Sequence, residues 1–305
     1  MQTTSGLLDE IRGSIAAHAR SDGRTPIDGL HLSKVDSEEP HHSLTEPLLV
    51  VMAQGGKRLL LGEQVYEYRA GQCLVVTTDL PVTGHFLDAG PQAPSLAMGL
   101  ALRPATIAPL LLAAPAGRWS RTAAELPAMA TGEAGPDLLD AVTRLLRLLD
   151  HPEDAPVLAP MVEREIVWRL LTGPHGGLVR QAGLADSTLS HVGRAIRWIR
   201  ENYAEPVRIE ALAQLAGMSA SAFHRHFRAV TAMSPLQFQK RIRLQEARSL
   251  LVSHAGDIAG VGHLVGYDSP SQFNREYRRQ FGAPPGQDAA RLRTDPGPGE
   301  VRHLP

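Results

Sequence analysis

A chain of 305 residues, 43 % apolar and 21 % charged, can form two domains with cores of their own and is too ordinary in composition to be fibrous or disordered. Its only cysteine, Cys73, excludes an intrachain disulfide and fits a reducing cytoplasm. The net charge of -1 hides an asymmetry: residues 190–293 hold 15 Lys/Arg against 8 Asp/Glu, the rest 16 against 24. A basic C-terminal part on an acidic N-terminal part points to a nucleic-acid module joined to something else.

Asp9, Glu10 and Arg12 interrupt the N-terminal apolar residues, so no signal peptide is read there. Leu7, Leu8, Ile11 and Ile15 instead predict a short amphipathic helix in an arm over 1–23. Residues 24–110 form the next domain, most of it β. Apolar runs at 48–53, 58–61, 65–68 and 73–77 are separated by Gly55-Gly56, Gly62-Glu63, Gly71 and Asp79-Leu80-Pro81, a spacing that predicts a small barrel or sandwich. Helices follow over 104–113, 136–149 and 156–172, the last with Val157, Leu158, Met161, Val162, Ile166, Leu170 and Leu171 as its apolar residues. Residues 111–178 are the helical linker, and the glycines of 173–177 break the chain. No apolar run is long enough to span a membrane; the nearest, 105–116, is short and holds Pro109 and Pro115.

The basic domain, 185–293, opens with a helix over 188–203 and contains a repeat at an offset of 50 residues. Ser219-Ala220-Ser221-Ala222-Phe223-His224-Arg225-His226-Phe227 lies over Ser269-Pro270-Ser271-Gln272-Phe273-Asn274-Arg275-Glu276-Tyr277. Each copy reads as a first helix (208–216 and 256–264), a glycine turn at Gly217 or Gly266, and a second helix capped by Ser219 or Ser269. Pro270 suits a first helical position and Gln272 a capping box. Two helix-turn-helix units in one chain suit two successive turns of the DNA major groove. Between them a helix from Ser234-Pro235 to about Val252 is roughly 25 Å long at ~1.5 Å per residue. Leu236, Ile242, Leu244, Ala247, Leu250 and Leu251 form its buried side, with Lys240, Arg241, Arg243 and Arg248 in water.

Arg225 and Arg275 are the strongest DNA candidates, by guanine or by phosphate contact. Ser221, His224, Ser271 and Asn274 share their outward faces, and Arg228, Pro270 and Arg278 complete the DNA-binding set. Phe223, Phe227, Phe273 and Tyr277 recur at i, i+4 and belong to the core.

The C-terminal third resembles the AraC/XylS family of bacterial transcription regulators. The carrying residues are Gly217-Met218-Ser219, the stretch from Phe223 to Phe227, Met233-Ser234-Pro235, Arg243-Leu244-Gln245-Glu246-Ala247-Arg248, Val265-Gly266-Tyr267, Ser271-Gln272-Phe273, Arg275-Glu276 and Phe281-Gly282. Gln54-Gly55-Gly56-Lys57-Arg58, Tyr68-Arg69-Ala70-Gly71 and Asp79-Leu80-Pro81 are similar to recurring turns of one sensor type in that family. The resemblance implies an α+β chain: a cupin-like N-terminal β-barrel with a helical dimerisation segment, then an all-α domain with two helix-turn-helix units joined by a long helix. It implies promoter DNA, a small organic effector, a second copy of the chain and RNA polymerase as partners, with no cofactor, metal or catalytic residue, in the cytoplasm on the nucleoid. The effector pocket is not assigned to residues. Gly260 and Gly262 depart from the family's helix formers, at a cost of about 1 kcal/mol each, and Pro284 replaces a usual serine.

Two other readings of the N-terminal part stay open: a metal-dependent cupin enzyme, and a barrel that only dimerises. The first would show clustered histidines; here His85 stands alone, and the adjacent His41 and His42 point to opposite faces of an extended segment. Cys73 reads as packing or as a redox sensor. Residues 294–305, with Pro296, Gly297, Pro298 and Gly299, are expected to be a disordered tail.

Overall fold

A computed structural model describes residues 3–115, 119, 126–184, 187–253 and 257–294. The chain divides in two, with the main break between Ser190 and His191. The N-terminal unit runs α1 (Thr4–His18), β1 (Leu30–Val35), β2 (His41–Leu44), β3 (Leu48–Gln54), β4 (Gly56–Leu61), β5 (Gln64–Arg69), β6 (Gln72–Val76), β7 (Pro81–Leu87), β8 (Ser95–Ala101), α2 (Pro104–Ala113), β9 (Met129–Glu133), α3 (Pro136–Arg147), α4 (Ala155–Thr172) and α5 (Gly176–Gly183). The helical part follows as α6 (Thr188–Glu201), α7 (Ile209–Leu215), α8 (Ala220–Thr231), α9 (Pro235–Ser253), α10 (Ile258–Leu264), α11 (Pro270–Phe281) and α12 (Pro285–Thr294).

The nine strands make two antiparallel sheets, in the orders β1-β8-β3-β6-β9 and β2-β7-β4-β5, rather than one closed ring. The corner between them is local chemistry. The β3–β8 register shifts between Met52 and Gln54, and Gly55 follows at φ 77°. A bulge plus a left-handed glycine turns a strand sharply, and a side chain at Gly55 would overlap the Ser95 hydroxyl. The chain therefore leaves the first sheet as β3 and enters the second as β4.

One face of the five-stranded sheet is covered by helices. Leu30 and Leu32, Leu49 and Val51, Cys73 and Val75, and Leu96, Met98 and Leu100 pack with Leu7, Ile11 and Ile15 of α1 and Leu138, Leu139, Val142, Leu145 and Leu146 of α3. Each such side chain contributes about 1.5–3 kcal/mol by leaving water. The intervening β3 residues Val50 and Met52 are also fully buried, so β3 is covered on both faces.

Two expectations for this unit change, and α4 buries only part of its apolar set. The α4 residues Val157, Leu158 and Met161 are 68 %, 40 % and 63 % exposed. The helix instead buries Ala155 and Ala159 in line with Ile166 and Leu170, because small residues let its first turns approach the core closely. The glycine run at 173–177 is partly helical, as α5 starts at Gly176 and buries Leu178 and Val179. Strand β9 pairs with β6 from beyond the segment read as β.

In the helical part, Leu244, Ala247 and Leu251 of α9 pack with Val261, Val265, Tyr267, Phe273, Tyr277 and Ala289. On α9, Leu236 is 50 % exposed and Phe238 is buried in its stead. Nor are all the α9 cations in water. Arg248 Nε donates to the buried Asp288 carboxylate at 2.8 Å, and Arg243 is bonded to backbone carbonyls. Buried acceptors distant in sequence draw both side chains in.

Two buried carboxylates organise this core. Asp288 accepts hydrogen bonds from Arg248, the Tyr277 hydroxyl (2.9 Å) and Arg291 (3.2 Å). Glu276 accepts from Lys240 (2.9 Å), the Tyr267 hydroxyl (3.0 Å) and Gln272 (3.3 Å). Burial pushes both carboxyls up, but bonds to Arg248 and Tyr277 in one case, and to Lys240, Gln272 and Tyr267 in the other, outweigh it and hold both below their ordinary values. A depressed carboxylate stabilises the fold above its unfolded pKa and loses that effect as pH falls through the folded value. The helical part should lose stability below about pH 4, the ordinary carboxylate range. Asp288→Asn should cost about 3 kcal/mol at neutral pH and flatten the acid limb of a melting-temperature profile.

The α10 glycines have packing reasons. The Asp257 carboxylate caps α10 by accepting from the Gly260 N–H at 2.7 Å, and a Cβ on Gly260 would overlap it. A Cβ on Gly262 would lie 3.0 Å from Phe273, whose ring is fully buried. The helix-propensity argument therefore fails at Gly262. Gly262→Ala should lower the melting temperature by circular dichroism. Gly260→Ala should leave it nearly unchanged, since a propensity gain of about 1 kcal/mol is offset by a weakened cap of similar size.

Candidate nucleic-acid interface

Each helix-turn-helix is fixed by its turn. Gly217 and Gly266 stand at φ 66° and 91°, the left-handed region that ends a helix and redirects the chain. The next helix starts at once: Ser219 Oγ accepts from the Ala222 N–H at 3.3 Å, and Ser269 Oγ from the Gln272 N–H at 3.4 Å. Pro270 takes the first turn of α11. The Gln272 amide does not reach back as a capping box; it donates to Glu276, the stronger, charged acceptor. The first turn is also held from α6, where Arg194 Nε donates to the Leu215 carbonyl at 3.0 Å and His191 Nδ1 lies 2.8 Å from that of Ala216.

The inward faces of α8 and α11 are matched. Phe223 and Phe227 lie 5.4 Å apart between ring centroids, Phe273 and Tyr277 5.6 Å, and all four are fully buried. That burial sets the outward faces. On α8 these carry Ser221, His224, Arg225 and Arg228; on α11 they carry Pro270, Ser271, Asn274, Arg275 and Arg278, all exposed. The structure thus brings the nine sequence-predicted residues onto two equivalent surfaces. Serine, a histidine or asparagine, and two arginines at i, i+3, i+4 and i+7 supply donors for base edges and cations for phosphates.

A cleft of about 610 Å³ beside α11 is lined by Asn274, Arg275, Arg278, Arg279, Gly282 and Pro284. Arg279 was not singled out from sequence; its signal is its place four residues after Arg275, one helical turn on.

Polar side chains also stand inside the N-terminal unit. Lys57 on β4 is fully buried, facing Tyr68 on one neighbouring strand and Phe86 on the other. Its Nζ lies 4.3 Å from the centre of the Phe86 ring, on which His41 stacks at 5.3 Å. Burial holds the Lys57 pKa well below that of an ordinary lysine. His42 faces the other way, its Nδ1 2.9 Å from Thr83 Oγ1. Cys73 is buried, and burial first, with the Glu133 charge second, pushes its thiol up to about 12. A thiol so held stays protonated at neutral pH, which suits packing and not redox chemistry. Among the described residues, no three His, Cys, Asp or Glu side chains stand close enough to hold a metal ion, and no helix is long and apolar enough to cross a membrane.

Residues 26–178 match the family model for the N-terminus of AraC-type transcriptional regulators, and residues 212–291 match a helix-turn-helix domain model. The chain is 26 % identical over 147 residues to the HTH-type transcriptional activator RhaS of Salmonella paratyphi A, covering 47 % of this chain and 51 % of that protein. It is 27 % identical over 159 residues to RhaS of Escherichia fergusonii, covering 50 % and 56 %. The chain thus spans about half the length of the curated relatives it matches. Among solved structures, wild-type ToxT of Vibrio cholerae with bound unsaturated fatty acid covers 87 % of this chain and 96 % of its own, at TM-score 0.55 and 8 % identity. An apo ToxT variant covers 88 % and 99 % at 0.54 and 8 %. At that identity the likeness is one of fold.

The division of each helix into two faces predicts how variants sort. Alanine at Ser221, Arg225, Ser271 or Arg275 should change stability by no more than about 0.5 kcal/mol. Phe223→Ala or Phe273→Ala should cost about 3–5 kcal/mol. Urea unfolding followed by circular dichroism distinguishes the two classes.

Proposed function

Since this chain belongs to the AraC/XylS family of transcription regulators, we propose that it binds promoter DNA sequence-specifically and that a small organic effector in its N-terminal unit controls that binding. The observation that carries the first part is the pair of equivalent outward faces on α8 and α11, each backed by a buried aromatic pair and each offering two arginines. A recognition helix enters the major groove with such a face. Arg225 and Arg275 contact base edges; Ser221, His224, Ser271 and Asn274 extend the readout; Arg228, Pro270 and Arg278 contact the backbone. Domain 185–293 is the DNA-binding module in this reading.

The effector is supported by two observations. The interior of the N-terminal unit carries Lys57 and Tyr68 among apolar residues, with the half-buried His41 stacked on Phe86 beside Lys57, and ToxT, of similar fold, has been solved with a fatty acid bound. The effector acts by shifting the population of DNA-competent states. The exposed Val157, Leu158 and Met161 of α4 support a homodimer through the helical segment, which raises occupancy through effective concentration. On the promoter, the bound dimer acts on RNA polymerase.

The test is direct. Duplexes selected by the full chain from a random-sequence pool provide the probe. Arg225→Ala and Arg275→Ala should each weaken binding to them by about 1–3 kcal/mol, with little change on random duplex. Equal losses are expected at the two positions, because the α10 glycines are well packed. Equal loss on selected and random DNA would reassign both to phosphate. Val157→Asp with Met161→Asp should turn a dimer into a monomer in sedimentation at micromolar concentration. A wild-type chain that already sediments as a monomer removes the dimer.

A further inference from the structure

We propose that Arg243, which lies outside both recognition helices, is the positioning residue that fixes the two helix-turn-helix units relative to one another and so sets the half-site spacing the protein accepts. The inference deepens the DNA-binding reading and rests on it.

Arg243 sits mid-way along α9 and donates four hydrogen bonds. Nε goes to the Tyr203 carbonyl at 2.7 Å, and Nη2 to those of Ala204 at 3.0 Å and Glu205 at 3.2 Å. Nη1 goes to the Gly266 carbonyl at 2.6 Å. Residues 203–205 are the link from α6 towards α7, the entrance to the first helix-turn-helix. Gly266 is the turn between α10 and α11, the centre of the second. One guanidinium thus binds both DNA-reading units at once. One helical turn earlier, Gln239 is buried and donates to the carbonyls of Tyr203 at 2.9 Å and Glu205 at 2.5 Å.

The chemistry suits a spacer. A guanidinium is planar, always charged, and presents its donors in a fixed fork. Four carbonyls at its edges leave little freedom of rotation about the α9 axis. Gly266 completes the fit: a Cβ there would overlap the Ala204 carbonyl and lie 2.8 Å from Arg243 Cζ. The apolar contacts of α9 hold each unit to the helix, but apolar contact is non-directional. Arg243 is a directional element common to both units.

The experiment uses the full chain and the duplexes it selects from a random pool. Three probes are compared: the selected duplex, the same duplex with one or two base pairs inserted between its half-sites, and a duplex with one half-site scrambled. Wild type should lose at least tenfold on a single insertion, which rotates the half-sites by about a tenth of a turn. Arg243→Lys keeps the charge without the fork; Gln239→Leu removes the secondary clamp and leaves Arg243 in place. Both should lose affinity on the selected duplex, Arg243→Lys about tenfold and Gln239→Leu less. Both should bind the scrambled duplex like wild type, and both should tolerate insertion better. An insertion profile as steep as wild type in Arg243→Lys overturns the proposal. So does an equal loss on the scrambled duplex, which would mean general damage; if Arg243→Lys does not fold, the same criteria are applied to Gln239→Leu. A wild-type chain that selects no duplex overturns the DNA-binding reading itself, and this inference with it.

Discussion

The helical part of this protein depends on polar groups being buried correctly along α9. Arg243 and Arg248 could each have stayed in water. Instead each leaves hydration for acceptors that the rest of the chain delivers, a ring of carbonyls and the Asp288 carboxylate, while the exposed Lys240 reaches in to the buried Glu276 carboxylate. Removing one partner from such a buried set costs more than the pair itself contributes, because the other group is left in a poor solvent. The arrangement therefore specifies one packing of α9 against α10, α11 and α12 over others that would bury as much apolar surface. The apolar side chains, the aromatic pairs of α8 and α11 among them, supply the burial, and the polar contacts choose its geometry.

The N-terminal unit meets a different constraint. Its five-stranded sheet is covered by helices on one face, and Val50 and Met52 on the other face of β3 are buried as well, so β3 has no face left for water. The second sheet can form only if the chain turns away at the end of β3, and the bulge before Gly55 makes that turn within a few residues. Lys57 follows at once on β4, which carries an amine-bearing side chain into the interior that a continuous strand would have left elsewhere. The corner and the buried polar group are thus products of the same short stretch, Gln54-Gly55-Gly56-Lys57.

Much of this was legible in the sequence because it is written locally. The caps at Ser219 and Ser269, the left-handed glycines and the i, i+4 aromatics are short-range signals, and they fixed the helix ends and the outward faces of the candidate interface. What was not legible depends on partners far along the chain. Periodicity placed Leu236 on the inner face of α9 and Arg243 and Arg248 in water, since it cannot see Asp288 or the carbonyls at 203–205. It named the apolar residues of α4 without telling which are buried: Ala155 and Ala159 join Ile166, Leu170 and Leu171 in the core, while Val157 and Met161 stay exposed. Helix propensity mistook Gly262 for a weak point because the ring it touches belongs to another helix. The strong glycine signal at 173–177 hid α5, which tertiary burial of Leu178 and Val179 holds in place. Of the expected disordered tail, 294–305, Thr294 is instead the last residue of α12, and 295–305 lie outside the described residues.

Asp288 has a consequence for the order in which the molecule is made. It stands on α12, the last helix among the described residues, and it is the acceptor that Arg248 on α9 and Tyr277 on α11 require. Synthesis proceeds from the N-terminus at about 5–20 residues per second. Residues 1–190, the bulk of the N-terminal unit, are therefore made well before α12 is. Until then, the second recognition helix lacks the group that anchors its inner face. A nascent or truncated chain ending before Asp288 would carry residues 1–190 entire and a helical part without its buried acceptor, so the packing of the helical part is completed last.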